Sequence, residues 1–227
     1  MGAYFNQASI KFLANLALNN NREWFADHRQ EYELTIVEPA MQFITDMADE
    51  LITVSPHFRA VAKKVGGSLM RIHRDVRFGK DKRPYKTNVG IQFRHELGKD
   101  VHAPGFYVHI EPGECFIGVG IWRPDTSSLG KIRDAIVDKG NGWQAAINDK
   151  SFKKKFTISG ESLTNPPRGY AKDHPLIEDL KRKDFIAISE LSDKTVTSTR
   201  FLSQTVELFQ TASPYVEYLC NALALRY

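Results

Sequence analysis

The chain has 227 residues, with 31 Lys plus Arg against 27 Asp plus Glu and a formal net charge of +4. An excess this small excludes a dedicated nucleic-acid coat protein. At 42% hydrophobic and 26% charged residues, the composition also excludes a chain that is disordered, collagen-like or coiled coil throughout.

From Gln7 to Leu18 the apolar residues Ile10, Phe12, Leu13, Leu16 and Ala17 recur at helical spacing, and the triplet Asn19-Asn20-Asn21 ends the pattern. Asn20 with Glu23 has the outline of a capping box for a second helix carrying Trp24, Phe25, His28 and Tyr32. Pro39 opens a third, with Met41, Phe43, Ile44, Met47, Ala48 and Leu51 on one face. From Ser68 the period falls to two. Strands are predicted at Leu69 to Arg77, around Val89 to Phe93, at Phe106 to Ile110 and at Cys115 to Trp122, with Glu111-Pro112-Gly113-Glu114 as a hairpin turn. The connections are too short for parallel crossovers, which points to a mainly antiparallel sheet. Helices follow at Ser128 to Val137 and Trp143 to about Phe152, then a short one at Pro175 to Lys183, a further strand at Phe185 to Leu191, and a helical stretch from Ser198 to Leu225 broken at Pro214. The expectation is an α+β fold: N-terminal helices over 1–60, a sheet of 4–6 strands over 65–125 and C-terminal helices over 126–227. No repeat or Gly/Ser linker divides it, so one domain is expected.

Cys115 and Cys220 are expected as buried free thiols, in keeping with a reducing compartment. The start of the chain lacks the pattern of a secretory leader, and no apolar run reaches the roughly 20 residues that span a bilayer. A cytoplasmic protein without a membrane partner is expected.

The charge is concentrated. Arg71 to Lys86 reads RIHRDVRFGKDKRPYK, seven basic residues against Asp75 and Asp81, a net +5 that leaves −1 for the rest of the chain. On a strand, Arg71, His73, Asp75 and Arg77 would share one face, with Ile72, Arg74, Val76 and Phe78 on the other. Guanidiniums flanking an imidazole and a carboxylate can hold a phosphate or carboxylate while the Asp orients the His. The following loop, turned by Gly79 and Pro84, adds Lys82, Tyr85 and Lys86. The ligand-binding candidates are therefore Arg71, Arg74, Arg77, Lys82, Lys86 and Arg123, and the acid–base candidates are His73, Asp75 and Tyr85.

Several known patterns fail. His73-Arg74-Asp75 lacks the Asn of a kinase catalytic loop, since Lys80 stands there, and Tyr85 occupies a P-loop glycine position. His95-Glu96 is followed by Lys99 where a zinc protease needs His, and His109-x-Glu111 has no Cys pair beyond Cys115. His109 and Glu111 share a strand face with Tyr107. A metal role for His73, Asp75, His109 and Glu111 lacks a spaced ligand motif, so no metal and no cofactor are expected.

The runs Asn20-Asn21-Arg22-Glu23-Trp24-Phe25 with His28-Arg29 and Tyr32, RIHRDVRFGKDKRPYKTN at Arg71 to Asn88, GVGIWRPD at Gly118 to Asp125, and Pro167-Arg168-Gly169-Tyr170 with Asp173-His174-Pro175 resemble the bacterial and fungal conserved-hypothetical family called domain of unknown function 2461. The resemblance spans nearly the whole chain and implies a single full-length domain. It implies no activity, cofactor or partner. Among its polar-aromatic positions, Trp24 and Trp122 are expected in the core, and Arg123 at a strand end leading into a helix.

Three readings of the basic segment stay open: a binding protein or enzyme for an anionic, phosphate-bearing small molecule; a nucleic-acid or protein interaction module; and a structural ion-pair network.

Overall fold

The computed structural model describes residues 2–77, 80–98 and 103–227, so the expectations placed on Phe78 and Gly79 lie outside the described residues. Helix α1 (Gln7–Leu18) occupies the predicted span. Its cap is Asn6, whose side chain accepts from the backbone N–H groups of Ala8 and Ser9 while the Ser9 hydroxyl accepts from that of Asn6. The second helix, α2 (Arg22–Asp27), is capped by Asn21 and not by Asn20. α3 (Arg29–Tyr32) runs through a π-helical turn at Glu33–Val37 into α4 (Glu38–Val54), so Pro39 sits near the start of α4 within one continuous rod.

Among the described residues the strands are β1 (Phe58–Arg59), β2 (Val89–His95), β3 (Gly105–Ile110), β4 (Cys115–Ile121), β5 (Thr157–Ser159) and β6 (Phe185–Leu191). They form one antiparallel sheet in the order β1-β2-β3-β4-β6-β5. The predicted hairpin joins β3 to β4, with the Glu114 N–H bonded to the Glu111 carbonyl and Gly113 at φ +78°. β6 matches the predicted run. The two- and three-residue strands β1 and β5 are too short to produce a period.

Helices α5 (Thr126–Asp138), α6 (Gly140–Asn148), α7 (Lys150–Lys155), α8 (Ile177–Leu180), α9 (Asp193–Val196) and α10 (Phe201–Ala222) complete the described elements. α10 runs unbroken through Pro214, contrary to the predicted break. Pro214 and Gln210, the residue four positions earlier, are both exposed, so the hydrogen bond that proline cannot donate is lost on the solvent side, where water replaces it. The buried side of α10 carries Phe209, which packs on Phe93 of β2 and Phe106 of β3 at ring-centroid distances of 5.8 and 4.5 Å. Phe201 stacks on Phe43 of α4 at 5.0 Å. One contiguous apolar cluster joins α1, α4, the sheet and α10. Trp24 is half-buried against it, whereas Trp122 is 53% exposed, a correction to the core placement expected for it.

Cys115 and Cys220 are free and buried. Burial pushes the Cys115 thiol up to about 11 and the Cys220 thiol up to about 12. Iodoacetamide at mildly alkaline pH should therefore label neither in the folded protein and both in denaturant, as read by mass spectrometry. Rapid labelling of either native thiol would contradict this arrangement.

Candidate functional site

The basic segment does not form the predicted strand. Ser68 to Met70 lies along β2, with a Leu69–Ile91 bridge and hydrogen bonds from Met70 N to the Gly90 carbonyl and from Gln92 N to the Ser68 carbonyl. It thus extends the sheet edge that β1 begins. From Arg71 the chain leaves the sheet and doubles back as a narrow ribbon. Arg74 N bonds to the Pro84 carbonyl and Lys86 N to the Ile72 carbonyl, around a His73–Tyr85 bridge. The alternation survives this departure. Arg71, His73, Asp75 and Arg77 are exposed, Ile72 is buried, and Arg74 and Val76 are half-buried. The reason is physical: charged residues lie on both faces, and among the described residues of the segment only Ile72 and Tyr85 are buried apolar anchors, too few to bury it within the sheet.

The outer edge of the ribbon is closed by Asn20. Its side-chain amide donates to the Tyr85 carbonyl and accepts from the Tyr85 N–H, both at 3.0 Å. Asn20 thereby acts as a one-residue substitute for a neighbouring strand, not as the helix cap the sequence suggested.

Four of the ribbon's seven cationic side chains are engaged within it, three of them on its two carboxylates. Arg77 grips Asp75 through Nε at 2.9 Å and Nη2 at 2.7 Å. Asp81 accepts from Arg74 at 2.5 Å and from Arg83 at 2.7 Å. Those guanidiniums hold both carboxyls well below the usual carboxylate range. Lys82 donates to the Val76 carbonyl at 2.9 Å. The expected Asp75–His73 pairing is absent among the described residues, because the adjacent Arg77 takes both carboxylate oxygens.

Arg71 instead faces a cleft of about 610 Å³ between α2, α3 and the ribbon. Arg22, Arg29 and Arg71 line it, and among the described residues none of the three makes an ion pair with a carboxylate. Its apolar wall is Phe25, Tyr32 and Tyr85, with Phe25 stacked on Tyr85 at 4.2 Å. Burial pushes the Tyr32 phenol up to about 12. His73 borders the cleft with its ring 5.3 Å from that of Tyr85. Glu33 and Val37 of the π-helical turn line the opposite side, where Lys64 neutralises Glu33 at 2.7 Å. Single π turns inside helices recur at functional sites. Lys86, half-buried beside the cleft, has its ammonium pKa lowered by burial and by the Arg71 charge.

Of the residues singled out from sequence, Arg71, His73 and Tyr85 line this cleft; Asp75, Arg74, Arg77, Lys82 and Lys86 do not. Arg123 stands apart at the end of β4. Its backbone (φ +48°) donates to Asp184 at 2.7 Å and its guanidinium lies over the Trp122 ring. Arg29 and Lys64 were not among the candidates. Arg29 was visible only as part of the His28-Arg29 motif, and nothing local marks Lys64. Among the described residues no three His, Cys, Asp or Glu gather as a metal site, and no helix is long and apolar enough to cross a membrane.

An antiparallel six-stranded sheet with helices from both ends of the chain, carrying an arginine-lined cleft beside its edge, defines an α+β protein. The chain belongs to the conserved hypothetical protein family DUF2461, whose model matches residues 8–218. No curated protein and no solved structure matches it.

Proposed function

We propose that the protein binds a small anion, a phosphate or carboxylate joined to an apolar or aromatic body, in the cleft between α2, α3 and the ribbon. The observation that supports this reading is the convergence of Arg22, Arg29 and Arg71 on one cavity without a carboxylate partner among the described residues. Like charges held together in one cavity repel, and an anionic ligand relieves that repulsion with bidentate hydrogen bonds. The Phe25, Tyr32 and Tyr85 wall suits the apolar body of the ligand. His73 is the acid–base group best placed to exchange a proton with the bound anion, since Arg77 occupies Asp75 and Tyr85 is packed under Phe25.

Phenyl phosphate is a suitable probe. It should raise the melting temperature of the wild-type protein at low salt. Arg71→Ala and Arg29→Ala should each weaken binding by roughly ten- to a hundredfold, the value of one charge-assisted hydrogen bond at about 1.5–3 kcal/mol. Arg77→Ala should leave binding intact. An unchanged response in Arg71→Ala, or loss in Arg77→Ala, would overturn the assignment. Salt-steep binding of a single-stranded oligonucleotide that falls when Lys80, Lys82 and Lys86 are neutralised would instead favour an interaction module.

A further inference from the structure

A hydrogen-bonded chain of three side chains lies on the sheet face turned away from α10. Tyr107 and His109 alternate with the core residues Phe106, Val108 and Ile110 along β3, and Glu111 follows at the turn. Tyr107 Oη lies 3.0 Å from His109 Nδ1, and His109 Nε2 lies 3.1 Å from Glu111 Oε2. A carboxylate only accepts, so Nε2 carries hydrogen; in the neutral ring Nδ1 then accepts the Tyr107 proton. Thr87 donates to the second Glu111 oxygen at 2.5 Å, and the His109 ring is stacked on Phe116 at 4.5 Å. The chain runs from a phenol to an anchored carboxylate.

Tyr107 and His109 form the polar end of a cavity of about 360 Å³, within the size range of small-molecule sites. Its floor is bare backbone, because Gly105 pairs with Gly120 across β3 and β4 while Gly118 stands opposite Tyr107. Ile186 and Ile188 of β6, Met70, Phe116 and the exposed Trp122 line its sides, and Gln92 adds a further polar side chain. No Lys, Arg, Asp or Glu lines it among the described residues.

The glycines are there for different reasons. A Cβ on Gly120 would collide with backbone, at 2.1 Å from the Phe185 carbonyl oxygen. A Cβ on Gly118 would meet nothing nearer than 3.6 Å, and Gly118 has no positive φ. Glycine weakens a strand, and one that neither packing nor backbone requires marks a place where something else approaches the chain.

We propose that this trough is a second ligand site, taking a small uncharged ring compound that bears a hydroxyl group. The ring lies over Gly118 between Trp122 and the two isoleucines. The hydroxyl donates to Tyr107 Oη, whose own proton is directed to His109. The apolar lining of Phe116, Trp122, Ile186 and Ile188 suits an uncharged ring, and the polar end sets the hydroxyl. This inference does not rest on the arginine cleft.

The probe pair is 2-naphthol and 2-methoxynaphthalene, which lacks the O–H, followed by calorimetry and amide NMR on the full chain. 2-Naphthol should bind saturably at one site. Gly118→Val, which adds a better strand former, should keep or raise the melting temperature while abolishing binding. Tyr107→Phe should weaken 2-naphthol at least tenfold and leave the methoxy compound unchanged. Glu111→Gln, outside the cavity and acting through His109, should weaken 2-naphthol severalfold with the same discrimination. Absence of saturable binding, binding that survives in a folded Gly118→Val protein, or equal behaviour of the two probes in wild type would each overturn the proposal. A phenyl phosphate response unaltered in Gly118→Val would show that the two sites stand or fall separately.

Discussion

Gly120→Ala should prevent the protein from folding. Gly120 has φ +105°, beyond the left-handed region that non-glycine residues visit. A Cβ there would sit 2.1 Å from the Phe185 carbonyl oxygen, a backbone atom of β6, and 3.1 Å from the ring of Tyr215 on α10. Neither neighbour can yield cheaply. Phe185 is fully buried and paired with Ile121, and Tyr215 packs beneath Trp143 and Phe152. Relief would require separating the end of β4 from the start of β6. Backbone strain alone costs about 1–3 kcal/mol, and with the steric collision the total should exceed about 4 kcal/mol, a large part of the stability of a typical domain. The expected result is insoluble protein or a non-cooperative melt by circular dichroism. A cooperative melt at the wild-type temperature would show that the strand pairing is looser than these distances require.

The same neighbourhood shows what was legible in the sequence. The core alternation of β2, β3, β4 and β6 was readable because each strand has one face buried by helices, which imposes a clean period of two. The backbone demand at Gly120 was not, because it comes from a strand 65 residues later in the chain. α1 was legible from periodicity alone. The break expected at Pro214 failed because α10 is already held along its buried side, so losing one solvent-facing hydrogen bond does not end it.

The candidate site was legible in part, for reasons that follow from charge. The +5 of Arg71 to Lys86 marked the segment that forms the ribbon, but the expectation there was a strand of the sheet, not the doubled-back ribbon found. It could not show which charges are already matched, since that depends on the bidentate grip of Arg77 on Asp75 and on Asp81 being shared between Arg74 and Arg83. Of the ribbon's arginines, Arg71 alone lines the cleft, and its companions Arg22 and Arg29 come from helices some forty to fifty positions earlier. A convergence of distant residues leaves no local spacing to read. Tyr107, His109 and Glu111 were the opposite case, since their shared face followed directly from strand alternation, whereas the glycine trough beside them needed the β3–β4 register.

Asn20→Ala should be more damaging than Asn21→Ala, the reverse of what a capping motif implies. Asn21 caps α2 through a single bond to the Trp24 N–H, and its loss should cost about 1 kcal/mol. Asn20 satisfies both backbone groups of Tyr85, a buried residue whose carbonyl and N–H point away from the ribbon. Removing the amide leaves a donor and an acceptor unpaired in a half-buried position, at about 1–3 kcal/mol each. The stability loss should therefore be about 2–6 kcal/mol, read from urea melts of the two variants. A second readout separates a local from a global effect. Tyr85 is the aromatic wall of the cleft and its backbone fixes the ribbon that carries Arg71. Asn20→Ala, still folded at low temperature, should therefore weaken phenyl phosphate about tenfold although Asn20 does not line the cleft. Asn21→Ala should leave that affinity unchanged. Equal destabilisation by the two substitutions, or full phenyl phosphate affinity in Asn20→Ala, would mean that the ribbon is positioned by its buried anchors Ile72 and Tyr85 and not by the Asn20 clamp.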